Sequence, residues 1–177
     1  MRFTSLRMQG LVLIEPHLYH DERGFFLEHY KQALFKQAGI DVSFVQDNVS
    51  YSKQGCVRAL HYQQTPGQAK LVTCLKGSIW DVAVDIRKSS PTFGQWEAVR
   101  LDDVTRQSLF IPIGFAHGFC VLSSDALVQY KVSTAYDPAE EKSIRWNDPT
   151  LAIAWPIATP LLSKRDEQSP MFAEVVQ

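Results

Sequence analysis

Turn signals recur along this chain at intervals too short for long helices, and that spacing limits the fold more than any other feature of the sequence. They fall at Lys76-Gly77, Ser89-Ser90-Pro91, Asp102-Asp103, Pro112-Ile113-Gly114, Ser123-Ser124-Asp125 and Asp137-Pro138. Gly, Pro, Asp and Ser punctuate chains because they tolerate or preset the dihedrals that turns require. Between them lie short alternating or β-branched runs, the pattern of a sandwich or barrel. The runs predict strands over Leu11–Glu15, Gly24–Tyr30, Val42–Ser52, Cys56–Gln63, Gln68–Leu75, Ser78–Ile86, Gln95–Leu101, Gln107–Ile111, His117–Leu122 and Ala126–Thr134. Only Lys31–Ala38 has helical composition, with Gly39 as its C′ residue. The expected fold is all-β: an antiparallel jelly roll with few short helices, one domain over residues 1–177, whose tail from Asn147 to Gln177 wraps the barrel.

The 177 residues are 45% hydrophobic, enough to bury a core in a single unit. A net charge of −1 with no basic block excludes a general nucleic-acid binder, so any bound anion must be held by a few placed cations. Cys56, Cys74 and Cys120 are odd in number and stand singly among apolar residues, which points to buried reduced thiols. Met1 to Gly10 lacks the apolar core of a signal peptide, and no apolar run approaches a membrane span. The expectation is a soluble cytoplasmic protein with no membrane partner.

Strand alternation then places polar groups on inward faces. In Ala126–Thr134, Tyr130 shares a face with Ala126, Val128, Val132 and Thr134; in Gln68–Leu75, Lys70 shares one with Val72 and Cys74. If that second face is inward, Lys70 needs an anionic partner. His61 groups with Val57, Ala59 and Gln63, an uncharged setting for a side chain that titrates near neutrality. Periodicity alone gives none of these a function. An interior His or a hydrogen-bonded Tyr is an ordinary core residue, and an inward Lys can equally mark a face assigned the wrong way round.

The spacing from Gly55 to His61, and Pro112-x-Gly114-x-x-His117 further on, resemble the two motifs of the cupin superfamily. That pattern continues with a second His and an acidic ligand. Here Gln63 takes the His place, and Gly67-Gln68 lies where the carboxylate would fall. Two histidines without a carboxylate make a poor divalent-metal site, because catalytic sites usually present three protein ligands. The reading is a cupin in which acid–base chemistry has replaced metal chemistry, with no metal and no cofactor.

Longer strings narrow the resemblance. Asp21-Glu22-Arg23-Gly24-Phe25-Phe26-Leu27-Glu28, Phe44-Val45-Gln46-Asp47-Asn48, Val57-Arg58-Ala59-Leu60-His61-Tyr62-Gln63 and Ile111-Pro112-Ile113-Gly114-Phe115-Ala116-His117-Gly118-Phe119 are similar to the dTDP-4-dehydrorhamnose 3,5-epimerase family. So are Lys70-Leu71-Val72, Asp81-Val82-Ala83-Val84-Asp85-Ile86-Arg87 and Ser90-Pro91-Thr92-Phe93-Gly94, and the likeness runs from about Leu11 to Leu162-Ser163-Lys164-Arg165-Asp166. It implies a dimeric, cofactor-free enzyme acting on dTDP-4-keto-6-deoxy-glucose, with N-terminal strands completing the neighbour's site. It also implies roles: His61 as base, Asp166 as the carboxylate that orients it, and Tyr130 as the acid on the other face of the sugar. Lys70 and His117 would face the sugar, while Arg23, Glu28, Gln46, Asn48 and Arg58 would hold the nucleotide diphosphate, some from the partner subunit. Tyr136 matches the aromatic that stacks on the base, and Glu141 and Arg165 match further contact positions.

Three departures stand out. Ala59 replaces a usual Gly, and Arg165 replaces a usual Lys, which keeps charge but not geometry. Strict alternation puts Arg58 on the face opposite His61, so the strand carries a bulge or Arg58 works from the rim.

These residue types suit the chemistry. A ketone at carbon 4 acidifies the hydrogens at carbons 3 and 5, yet removing them at neutral pH takes a placed base and a stabilised enolate. On this resemblance His61 would be that base, Asp166 would fix its tautomer, Lys70 would aim charge at the oxyanion, and Tyr130 would return a proton from the opposite side. The rivals are a 3- or 5-mono-epimerase on a dTDP-, GDP- or CDP-linked sugar, a non-catalytic sugar-nucleotide binder, and, last, a metal-dependent cupin.

Overall fold

The computed structural model describes residues 1–175. Its strands in chain order are β1 (Arg2–Ser5), β2 (Val12–Glu15), β3 (Leu18–Asp21), β4 (Gly24–Leu27), β5 (Gln46–Lys53), β6 (Val57–Gln63) and β7 (Lys70–Lys76). Then come β8 (Ser78–Asp85), β9 (Trp96–Asp102), β10 (Ser108–Ile111), β11 (Phe115–Val121), β12 (Asp125–Val132) and β13 (Glu141–Ser143). Three short helices complete the order: α1 (Gln32–Gln37), α2 (Lys164–Glu167) and α3 (Phe172–Val175). No helix among the described residues is long and apolar enough to cross a membrane.

Two antiparallel sheets form the jelly roll. One has the order β1-β2-β10-β7-β12-β5 and the other β13-β6-β11-β8-β9, while β3 and β4 make a separate hairpin. Alternation sends Val72 and Cys74 of β7, Val128 of β12, Ala83 of β8, and Phe119 and Val121 of β11 into the space between the sheets. The alternate residues do not face water. On the five-stranded sheet Val82, Val84, Ala116 and Cys120 are covered by Ile144, Leu151, Trp155 and Phe172 of the C-terminal segment. Two indole donors pin that cover, Trp96 Nε1 to the Leu151 carbonyl at 3.0 Å and Trp155 Nε1 to the Trp146 carbonyl at 2.7 Å. On the six-stranded sheet Phe35 of α1 seals Val12, Ile14, Leu71 and Phe110. Burial on both faces explains why several strands read as near-continuous apolar runs, and full burial of a Phe such as Phe35 contributes about 1.5–3 kcal/mol.

Turn chemistry behaves as the sequence suggests. Gly77 turns between β7 and β8 at φ +79, and a Cβ there would lie 2.2 Å from the Asp125 carbonyl oxygen. The Ser-Pro-Thr string after β8 is structural: Ser90 Oγ and Thr92 Oγ1 each donate to Asp85 at 2.6 Å, and Arg87 Nε donates at 2.9 Å. Burial alone would raise the Asp85 pKa, but those hydrogen bonds hold it well below the usual carboxylate range.

Several expectations need correcting. The run Val42–Ser52 forms a strand only from Gln46, because Val42 and Phe44 pack with the α1 cluster instead. The run Gly24–Tyr30 ends at Leu27, with Tyr30 ring-packed on Phe35. Strands β1, β3 and β13 and helices α2 and α3 were not expected. The grouping of His61 with Val57 and Ala59 also fails. In the β6–β11 ladder His61 faces His117 and Arg58 faces Phe119, so three steps along β6 match two along β11. The bulge rotates the strand between Arg58 and His61. Val57 and Ala59 then point into the outer cluster, while Arg58 and His61 both line the inner cavity. Gly118 makes room for it, since a Cβ there would sit 2.6 Å from Ala59 Cβ and 2.8 Å from the Arg58 carbonyl oxygen.

Candidate active site

The space between the sheets opens at one end into a cavity of about 370 Å³. Its six-stranded wall gives Gln46 and Asn48 from β5, Lys70 from β7 and Tyr130 from β12; the five-stranded wall gives Arg58, His61, His117, Phe119 and Glu141. Gln68, Tyr136, Ser163, Arg165 and Asp166 close the rim.

His61 Nε2 lies 2.6 Å from Asp166 Oδ1, the imidazole partly open to the cavity and the carboxylate buried. An ionised carboxylate only accepts, so Nε2 carries the proton and the Nδ1 lone pair remains for a substrate. Asp166 is held there by local geometry. Ser163 caps α2, its Oγ accepting from Asp166 N–H at 3.1 Å, which fixes a helix of four residues that could not persist alone.

A second imidazole–carboxylate pair lies alongside. His117 Nε2 is 2.8 Å from Asp81 Oδ2, with both side chains buried. Burial pushes the His117 pKa down, although Asp81 pulls it up, so the ring is neutral near pH 7. Asp81 Oδ1 is buried without a hydrogen-bond partner. Lys70 is also buried, and that burial lowers its pKa to about 8 against the opposing pull of Glu141 and Asp81. It therefore remains mainly cationic near neutrality, with Nζ 3.4 Å from the His61 carbonyl oxygen. On the same wall as Lys70, burial raises the Tyr130 pKa, partly offset by Arg58, so its phenol keeps its proton.

At the rim Gln46 donates to Asn48 Oδ1 at 2.8 Å and accepts from Tyr136 N–H at 2.9 Å. Tyr136 OH donates to Glu141 at 3.0 Å, and Glu141 also receives Arg165. Arg58 Nε donates to Ser52 Oγ at 2.9 Å, which anchors the guanidinium on the opposite sheet. Gln63, at the cupin-ligand position, donates to the Ala135 carbonyl, and its Oε1 accepts from Asp137 N–H at 3.3 Å. Among the described residues no three His, Cys, Asp or Glu side chains gather as a metal site.

Thus His61, Tyr130, Asp166, Lys70, Gln46, Asn48, Arg58, His117, Tyr136, Glu141 and Arg165 converge on one cavity. Arg23 and Glu28 do not. Arg23 pairs with Asp21 on the β3–β4 hairpin with its side chain 90% exposed, and Glu28 pairs with Lys31. The sequence reading did not single out Gln68, Phe119 or Ser163 as lining residues, nor Asp81 as the partner of His117. Alternation along β8 puts Asp81 on the inner face with Ala83, and that was the available signal.

A jelly roll whose inner cavity holds a carboxylate-bound imidazole against a facing phenol and a buried ammonium has the parts of an acid–base isomerase. Residues 5–174 match the family model described as dTDP-4-dehydrorhamnose 3,5-epimerase, and the chain belongs to that family. It is 48% identical over 176 residues to dTDP-4-dehydrorhamnose 3,5-epimerase of Pseudomonas aeruginosa, covering 98% of this chain and 97% of that one. It is 45% identical over 176 residues to dTDP-4-dehydrorhamnose 3-epimerase of Streptomyces niveus, covering 98% and 85%. Among solved structures, the Legionella pneumophila dTDP-6-deoxy-D-glucose-3,5-epimerase in complex with dTDP-4-keto-L-rhamnose superposes with a TM-score of 0.95 at 44% identity, covering 98% and 94%.

Proposed function

We propose that this chain epimerises dTDP-4-keto-6-deoxy-glucose to dTDP-4-keto-rhamnose, with His61 as base and Tyr130 as acid. The observation that carries the reading is the 2.6 Å His61–Asp166 contact on one wall of a cavity whose other wall bears Tyr130 and Lys70. His61 Nδ1 removes the proton alpha to the ketone, the electron pair moves onto the carbonyl oxygen, and the Lys70 ammonium stabilises the resulting enolate. Asp166 holds the tautomer and balances the imidazolium. The Tyr130 hydroxyl then protonates the same carbon from the far side, which inverts it. His117, neutral and hydrogen-bonded to Asp81, faces the sugar, while Gln46, Asn48, Arg58, Tyr136, Glu141 and Arg165 line the path to the nucleotide diphosphate. Neither metal nor redox cofactor takes part in this scheme.

A second reading, epimerisation at carbon 3 alone, is favoured by the relative named a 3-epimerase. Incubation in deuterated water decides between them. Deuterium at carbons 3 and 5 of the product supports the double reaction, deuterium at carbon 3 alone supports the second reading, and no exchange rejects both.

The same proposal includes a homodimer in which the β3–β4 region of one subunit completes its neighbour's site. Exposed Tyr19, Phe25 and Phe26 on that hairpin support it, as does the distance of Arg23 and Glu28 from their own cavity. An Arg23→Ala chain mixed with a His61→Ala chain should then regain activity, because one of the two hybrid sites contains both residues. No recovery on mixing would place Arg23 in its own subunit's site or outside any site. The free thiols Cys56, Cys74 and Cys120 fit a reducing compartment, and we place the enzyme in the cytoplasm.

A further inference from the structure

The His61–Asp166 contact joins residues 105 positions apart, so some part of the fold must hold the two in register. Helix α2 cannot do so alone: it has four residues, and its serine cap fixes Asp166 within the helix but not the helix on the barrel. The fixing groups lie behind the cavity, on the segment from β13 to Arg145. Ser143 is the ladder partner of His61 on the edge of the five-stranded sheet, and the pairing continues through reciprocal Ile144–Leu60 backbone bonds at 2.9 Å. From the other side of that segment Ser169 Oγ lies 2.9 Å from Ser143 Oγ and 3.2 Å from the Arg165 carbonyl oxygen. Ser169 Oγ is thus the donor at this junction, its one proton shared between Ser143 Oγ, the nearer acceptor, and the Arg165 carbonyl. Arg145 completes the join, its N–H donating to the Pro170 carbonyl at 2.8 Å and its Nε to the Ser169 carbonyl at 2.9 Å.

We infer that Ser143, Arg145 and Ser169 are positioning residues that fix Asp166 on His61 through a brace which touches no substrate. None of the three lines the cavity, and Ser169 is 2% exposed. The brace refers both partners to one strand. His61 is set by its ladder to Ser143, and Asp166 is set by a helix that Ser169, two residues past its end, ties to the same Ser143. A shift of α2 along the edge strand would draw the carboxylate off the imidazole and carry Arg165 with it, while the strand residues Gln46, Asn48, Lys70 and Tyr130 stayed in place.

This inference rests on His61 and Asp166 being base and orienting carboxylate, and the test separates the two claims. The measurement is steady-state kinetics and deuterium wash-in for the full-length protein and for Ser169→Ala, Ser143→Ala, Ser143→Thr and Asp166→Asn, with Ser169→Ala also made in the Asp166→Asn background. Thermal melting confirms that each variant is folded. The expected result is a kcat reduced about 10- to 100-fold in either alanine variant, the range that misplacing a group by up to 1 Å produces, with a smaller change in KM because the strand residues Gln46, Asn48, Lys70 and Tyr130 do not move. Ser143→Thr keeps the hydroxyl at a strand position that tolerates branching, and it should recover most of the rate. Ser169→Ala should add nothing once Asp166 is already Asn, because it acts only through that carboxylate. Wild-type kcat in both alanine variants would overturn the brace, as would an undiminished effect of Ser169→Ala in the Asp166→Asn background. Wild-type exchange in Asp166→Asn itself would overturn the underlying site reading instead.

Discussion

His61 and His117 stand opposite one another on neighbouring strands, each bound through Nε2 to a carboxylate, yet the two pairs occupy different surroundings. The His117–Asp81 pair is built wholly from barrel strands β11 and β8, and its side chains are 7% and 0% exposed. Burial keeps that ring neutral, so the contact is a fixed hydrogen bond between a neutral donor and a carboxylate. The His61–Asp166 pair takes its carboxylate from outside the barrel and leaves its imidazole 24% exposed toward the cavity. The same two functional groups thus give a rigid wall in one place and, on the proposed mechanism, the base in the other, and access to the cavity makes the difference.

The sharpest way to break that comparison is to delete each ring. His61→Ala should lower deuterium wash-in and epimerisation together by about 10²–10⁴-fold, the contribution of a positioned general base. His117→Gln should retain wash-in well above that level, because the base is intact. Equal losses in the two variants would show that the rings share the chemistry.

Tyr130→Phe tests the opposite wall and should cost less in exchange than in inversion. His61 still takes a proton and Lys70 still holds the enolate, but the far face has no donor. Deuterium should enter with retained configuration while inverted product forms about 10²-fold more slowly, the lower end of acid catalysis. Wild-type inversion would assign that protonation to another donor, and loss of exchange as well would place Tyr130 in the deprotonation step.

Next in size are pH effects on stability, where two buried bases act in opposite pH ranges. The folded pKa of His117 is depressed, so below about 6.5 the unfolded chain binds more protons and stability falls on acidification. The folded pKa of Lys70, about 8, also lies below the ordinary lysine value of 10.5, so stability should rise between those two pH values as the unfolded chain loses its proton. The Lys70 contribution is on the order of a few kcal/mol. Chemical denaturation across pH should show both slopes, with His117→Gln flattening the acid one and Lys70→Met the alkaline one. A Lys70→Met curve that rises as steeply as wild type would mean the ammonium is not desolvated.

The smallest expected effect is none at all. Exhaustive chelation should leave kcat unchanged, because Gln63 is engaged with Ala135 and Asp137 and, among the described residues, no three His, Cys, Asp or Glu side chains are placed to hold a metal together. Activity lost on chelation and restored by one divalent ion would refute the acid–base scheme.

How much of this was legible in the sequence follows from where alternation holds. From Lys70 to Cys74 on β7 and from Val128 to Val132 on β12 the register is unbroken, so alternation grouped Lys70 with Val72 and Cys74, and Tyr130 with Val128, on the faces that line the space between the sheets. Along β6 it breaks. A bulge is a long-range adjustment to β11, prepared by Gly118 on another strand, and nothing within Val57–Gln63 reveals which residue is extra. Strand β13 was invisible for a related reason: Glu141-Lys142-Ser143 has no strand-forming side chain and pairs only because β6 presents an edge to it. The role of Asp166 came from family resemblance, since no local pattern links a four-residue helix to a histidine in the first half of the chain.

That separation has a consequence for how activity arises during folding. A loop of roughly a hundred residues closes at an entropic cost that grows only slowly with length, but it closes late, after shorter-range pairings have formed. On the proposed mechanism the base therefore acquires its carboxylate only when α2 docks beside β6. A partly assembled barrel on which α2 has not docked, even one with most of its sheet in place, lacks that carboxylate and by the same mechanism should not enolise a passing ketone. Recovery of proton exchange during refolding should accordingly trail recovery of the β-sheet signal, so that turnover itself becomes an assay for completion of the native topology.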